Sequence, residues 1–228
     1  MPTAPLKLYL DTIGVHDESV FEALTYACLA SLSLVLLGHY HQKRILIGIF
    51  KPLASAAFVS LAMLASGSES PYGMAVVAAL ILSFWGDVFL MIQGRKAFIA
   101  GLVSFLLGHV AFCVAFVLRG IDWTAVLGAS VAVLVMALIV SRWLFKHVDS
   151  QMKIPVVAYI TVISVMVVLA FGTFFEMGHV FIPLAAVLFF ASDLSVALER
   201  FVQPRFLNKL WGLPLYYGAQ LLFGWTLI

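Results

Sequence analysis

Eight stretches of about twenty residues, each nearly free of charge, follow one another along this 228-residue chain. A helix crossing the hydrocarbon core of a bilayer needs roughly 20 mostly apolar residues. The stretches lie at 21–38, 45–65, 73–92, 98–118, 123–144, 155–175, 179–198 and 211–228. With no water to bond the backbone at that depth, a helix is the form that satisfies every peptide group within one segment. The chain is 64% apolar and 11% charged, against about 45–50% and about 25% in a soluble domain. Its mean hydropathy is +1.10. The sequence therefore predicts an all-α, polytopic integral membrane bundle of eight transmembrane helices, forming a single domain over residues 1–228. No linker, low-complexity tract or internal repeat interrupts it.

The gaps are short and carry the turn and charge signals. The gap around Lys146 to Lys153 ends at Pro155, a residue suited to the first position of a helix. The first twenty residues, with Lys7, Asp11, Asp17 and Glu18, lack the pattern of a cleaved signal peptide. The first helix is expected to serve as an uncleaved insertion signal. Cys28 and Cys113 both lie inside apolar runs, which suits packing residues and gives no disulfide framework and no metal spacing. A net charge of +2 gives no case for a nucleic-acid partner.

The loops are sharply unequal in Lys and Arg. Ten fall on one side: Lys43, Arg44, Arg95, Lys96, Arg142, Lys146, Lys153, Arg200, Arg205 and Lys209. Only Lys7 and Arg119 fall on the other, and Lys51 lies inside the second helix. Positive loops stay in the cytoplasm. Both termini are then non-cytoplasmic, the number of spans is even, and the expected location is the cell's inner (plasma) membrane. The basic loops read as determinants of this topology.

Ionisable groups inside spans are costly and usually face the bundle interior. They number four here, Lys51, Asp87, His109 and Asp193, with Ser83, Tyr159, Ser192, Tyr216, Tyr217 and Gln220 as uncharged companions. The orientation places Lys51, Asp87, Asp193, Tyr159, Tyr216, Tyr217 and Gln220 in the cytoplasmic half. His109 sits roughly 16 Å into its helix, near the midplane. Six helices thus send polar groups toward one half, where independent structural residues would scatter. Ser83 and Asp87 share a helix face, as do Tyr216 and Gln220. Gly101, Ser104 and Gly108 form a small-residue stripe that permits close helix approach beside His109. Lys51 could snorkel to the interface or serve as counter-ion to an aspartate. His109 alone is more often a hydrogen-bonded packing residue than a ligand, and Tyr216 and Tyr217 could be interface aromatics. The two aspartates have no such ready structural explanation.

Read in order, Lys51-Pro52-Leu53, Gly86-Asp87, Gly108-His109, Tyr159, Ser192-Asp193 and Tyr216-Tyr217 with Gln220 resemble the YhhN-like family of eight-span proteins, which includes lysoplasmalogenases. Helices 1 and 5 contribute nothing to the resemblance, which otherwise covers nearly the whole chain. It implies an alkenyl ether hydrolase, without metal or cofactor, that cleaves lysoplasmalogen to a fatty aldehyde and a glycerophospho-choline or -ethanolamine. A vinyl ether hydrolyses by protonation at its β-carbon, through an oxocarbenium ion. That requires a carboxylic acid protonated near neutral pH and a carboxylate beside the cation. Glycosidases divide two carboxyl groups comparably. Desolvation favours the neutral form of a carboxyl group, and neighbouring carboxyls titrate as a pair. Asp87 and Asp193 are the expected catalytic pair, with acid and base unassigned. Lys51, His109, Tyr159, Ser192, Tyr216, Tyr217 and Gln220 are the expected binding and orienting groups, with Lys51 on the phosphate or on an aspartate. The partners are the bilayer and a lysophospholipid.

Other functions remain open on the sequence. A proton-coupled transporter or channel could use the same Asp, Lys and His groups. A zinc-dependent intramembrane hydrolase would need several facing histidines, whereas only His109 lies well inside a span. A retinal-type Schiff base on Lys51 is chemically conceivable, without support from its place in the second helix.

Overall fold

The computed structural model describes residues 17–66 and 70–228. The expectation about a signal sequence falls mostly outside them. Eight long helices run through these residues: α1 Asp17–Tyr40, α2 Arg44–Ala65, α3 Pro71–Met91, α4 Arg95–Arg119, α5 Trp123–Leu144, α6 Ser150–Met177, α7 Phe181–Ala197 and α8 Phe206–Trp225. A single π-helical turn, Leu198–Val202, extends α7. Among the described residues there is no strand.

Seven helices, α1 to α7 with the π turn that extends α7 to Val202, are long and apolar enough to cross a membrane. The eighth expected span, α8, falls outside that set. Asn208, Lys209, Tyr216, Tyr217 and Gln220 dilute its apolar character. Most of this polarity is hidden by packing, since α8 touches α1, α2, α3 and α7.

Two boundaries differ from expectation by five residues. α6 starts at Ser150, so Pro155 lies inside the helix and not at its first position. The N–H that proline lacks would have bonded the carbonyl of Gln151. That residue is exposed near the helix end, where water can take the N–H's place. α8 likewise starts five residues early, at Phe206, because polar residues at a membrane boundary do not oppose helix formation.

Helices α2, α3, α4, α6, α7 and α8 close into a ring. α1 lies outside it against α2 and α8, and α5 lies outside against α6. The expected stripe on α4 forms a tight seam with α3. A Cβ on Gly108 would stand 3.3 Å from the Ala79 carbonyl oxygen, and one on Gly101 2.8 Å from Leu90. Ser104 Oγ donates to the Leu82 carbonyl at 2.6 Å. Across α7 and α8 the approach is closer still, since a Cβ on Gly212 would overlap the Ser195 side chain.

Polar groups inside the bundle gather at two ends. At the end bearing the ten basic residues stand Lys51, Asp87 and Asp193. At the opposite end Tyr72, Arg119 and Thr226 meet, with Tyr72 and Thr226 hydroxyls 2.6 Å apart and Arg119 donating to the Thr226 carbonyl. Between them lies an aromatic plug of Phe112, Phe116 and Phe223, with the Phe112 and Phe223 centroids 4.0 Å apart. All three rings are fully buried. Cys28 is buried and Cys113 half-buried, both as free thiols.

Candidate active site

Lys51 lies two turns into α2 and Asp87 one turn from the end of α3. Antiparallel packing brings them to one level. Lys51 Nζ stands 2.9 Å from Asp87 Oδ1 and donates to the Asp87 backbone carbonyl at 3.3 Å. The residues are 8% and 3% exposed. At that burial an unpaired charge would be prohibitive, so counter-ion, not snorkelling, is the state of Lys51. The second carboxylate oxygen, Oδ2, accepts from Ser55 Oγ at 2.7 Å and Tyr216 Oη at 2.8 Å. Tyr217 stands behind this pair, its hydroxyl donating to the Lys51 carbonyl at 3.3 Å. Asp87 therefore has three side-chain donors, one a full cation.

Asp193, on α7, is surrounded differently. Its Oδ2 accepts from Tyr159 Oη at 2.8 Å. His109 Nε2 lies 3.2 Å from the same oxygen, off the line of a regular hydrogen bond. The other imidazole nitrogen, Nδ1, is 2.5 Å from the Phe105 carbonyl oxygen. A carbonyl only accepts, so Nδ1 carries the hydrogen and presents Nε2 to Asp193 as a lone pair. Nitrogen and carboxylate oxygen then face one another across 3.2 Å.

Phe105 and Phe189 stand between the two clusters. Phe189 lies 4.5 Å from the His109 ring and 5.5 Å from Tyr216, and Phe105 lies 5.7 Å from Tyr216. Beside them a largely apolar cavity of about 130 Å³ opens on Lys51, Asp87, Tyr159, Ser192, Asp193 and Tyr216. Its apolar wall includes Phe98, Leu144, Val156, Ile160 and Phe201.

Six of the nine expected site residues thus line one cavity. His109 and Tyr217 support it from behind. Gln220 does not line it, although the residue is fully buried and neither amide atom has a hydrogen-bond partner among the described residues. Ser192 Oγ donates to the Phe189 carbonyl of its own helix at 2.8 Å, not to Asp193. Ser55 was not anticipated. Its position four residues after Lys51 was the available signal, since both share a face of α2. Among the described residues no three His, Cys, Asp or Glu side chains converge as metal ligands would.

One largely apolar cavity thus exposes two carboxyl groups, Asp87 and Asp193, with unlike partners. Comparison with known proteins gives this arrangement a context. The chain is 24% identical over 158 residues to the protein named lysoplasmalogenase TMEM86A from Bos taurus. The match covers 67% of this chain and 64% of the bovine protein, so it spans less than two thirds of that relative's length. No solved structure matches. The YhhN family model matches residues 46–227, a range that begins after α1 and holds every residue of the site. On that match the chain belongs to the YhhN family.

Proposed function

We propose that this chain hydrolyses the vinyl ether bond of a lysoplasmalogen within the membrane. The products are a fatty aldehyde and glycerophosphocholine or glycerophosphoethanolamine. The observation carrying this reading is that one apolar cavity exposes two carboxyl groups with unlike partners. Asp87 has Lys51, Ser55 and Tyr216, while Asp193 has His109 and Tyr159. Family membership and the bovine relative support the substrate class.

In this reading Asp87 is the standing anion, because a cation and two hydroxyl donors hold its charge. Asp193 is the proton carrier, sharing its proton with His109. The proton adds to the β-carbon of the vinyl ether, and the π electrons form the new C–H bond. Positive charge then spreads over the adjacent carbon and the ether oxygen, where the Asp87 carboxylate stabilises it. The rings of Phe105 and Phe189 keep bulk water away. One water adds to the cationic carbon and returns a proton to Asp193, leaving a neutral hemiacetal. Its C–O bond to glycerol breaks as the hydroxyl proton passes to the departing oxygen. Atoms and charge balance without a metal.

Membrane placement follows from the loop charges. The basic end faces the cytoplasm, all eight helices span, and both termini are non-cytoplasmic in an inner (plasma) membrane. The substrate comes from the inner leaflet. At about 130 Å³ the cavity is smaller than the roughly 300–1,000 Å³ of a site enclosing a drug-sized ligand. It receives the glycerol and vinyl ether, and the tail leaves sideways past Val140 and Leu144 of the peripheral helix α5.

Turnover in D2O tests the chemistry. The aldehyde, trapped at once by reduction, should carry one deuterium on the carbon next to the former carbonyl. Aldehyde formed without deuterium there would contradict carbon protonation.

A further inference from the structure

The π turn after α7 holds a cation that the chemistry above does not use. Short π segments often mark functional positions. This one, Leu198–Val202, places Phe201 in the cavity wall. It also seats Arg200 on Phe98, with Cζ 4.3 Å from the ring centroid. Phe98 lines the same cavity and meets Phe201 edge-on at 6.0 Å. Arg200 itself is exposed, so its guanidinium stands outside the cavity on a ring that lines it, held by that aromatic face.

Three neighbouring charged groups, Glu199, Lys209 and Lys51, are already committed. Glu199 accepts from the Arg205 backbone N–H at 2.9 Å and Asn208 Nδ2 at 3.0 Å, and it pairs with Lys209. Lys51 is bound to Asp87. Among the described residues Arg200 has no carboxylate within ion-pair distance. It is an exposed cation beside the cavity wall, with its donors free for an anion.

We propose that Arg200 binds the phosphate of the lysophospholipid and so fixes which bond lies against Asp193. This rests on the vinyl ether reading for the substrate, but not for the phosphate contact itself. The spacing fits. Arg200 follows Asp193 by seven residues, about 10 Å along a helix. From phosphorus to the β-carbon of the vinyl ether is seven bonds, about 8 Å at the reach per bond of an extended chain. A guanidinium–phosphate contact of about 2.8 Å covers the remainder. Guanidinium donors match phosphate oxygens in pairs, which a lysine cannot reproduce.

The test compares two substrates of the full chain in nanodiscs, 1-alkenyl-glycerophosphocholine and the phosphate-free 1-alkenylglycerol. Arg200→Gln should lower the ratio of their kcat/KM values about tenfold or more, through KM for the phospholipid. Arg200→Lys should recover part of the ratio. An unchanged ratio would overturn the assignment, and so would equal loss on both substrates. Binding of the uncleavable 1-alkyl-glycerophosphocholine, set against 1-alkylglycerol, separates this from the chemistry. Loss of the phosphate-dependent affinity in Arg200→Gln supports the phosphate site even if the wild-type chain releases no aldehyde. Retained phosphate-dependent affinity rejects it.

Discussion

Lys51 Nζ lies 2.9 Å from Asp87 Oδ1, with both side chains withdrawn from solvent. Removing one partner of a buried pair costs about 3–5 kcal/mol, because the other charge is stranded. Lys51→Met is therefore expected to lower thermal stability sharply and abolish activity. The double variant Lys51→Met/Asp87→Asn strands no charge. It should regain most of the stability and none of the activity, as read by thermal melts and aldehyde assay.

The Asp193 side of the site should respond differently. In the proposed mechanism its partners, Tyr159 at 2.8 Å and His109 at 3.2 Å, shape a proton position rather than neutralise a charge. His109→Gln should leave a folded protein and lower kcat by about 10²–10⁴, the usual range for a lost acid–base function. Tyr159→Phe removes one hydrogen bond to an ionisable group. It should cost about 1.5–3 kcal/mol of transition-state stabilisation, roughly ten- to a hundredfold in rate. Equal, small effects from both would argue against a proton shared between Asp193 and His109.

Much of this site was legible in the sequence, for a thermodynamic reason. Asp87, Asp193 and Lys51 stand out because a bilayer makes each charge expensive, and loop charges then place them at one level. Ser55 did not stand out, since serine is cheap in a helix and usually bonds its own backbone, as it also does here to Lys51 at 3.1 Å. Phe105 and Phe189 are indistinguishable from ordinary apolar residues until the fold sets them between the aspartates. The silence of the first and fifth helices in the motif pattern has a physical counterpart, because α1 and α5 lie outside the ring. Hydropathy placed α8 with the other spans, but its polar face is buried against neighbours. Arg200 resembled every other basic loop residue, and only the π turn and Phe98 single it out.

Position of the aspartates depends on close helix contacts. A Cβ on Gly212 would collide with Ser195, two residues after Asp193. Gly212→Ala should therefore destabilise the chain by about 1–3 kcal/mol, the usual cost of overpacking, and lower activity by displacing α7. Gly212→Ala/Ser195→Gly restores the space and should recover both. A double variant no better than Gly212→Ala would mean that this contact does not set the register of α7.

The mechanism draws only on side chains. Chelators such as EDTA and phenanthroline should leave the rate of the purified chain unchanged within error. Loss of activity restored by added zinc would show that a metal takes part. The Phe112–Phe116–Phe223 plug separates the two polar ends, so liposomes carrying the chain should show no substrate-dependent proton flux.

The most direct measurement is aldehyde release from a lysoplasmalogen by the purified wild-type chain, Asp87→Asn and Asp193→Asn, with the saturated 1-alkyl ether lipid as control. The wild type should release aldehyde from the vinyl ether and none from the saturated ether. Asp193→Asn should stay folded and lose the activity, whereas Asp87→Asn strands Lys51 and is read beside the stable Lys51→Met/Asp87→Asn, neither of which should release aldehyde. Full activity in either variant, or no aldehyde from the wild type, would contradict hydrolysis by this pair of aspartates.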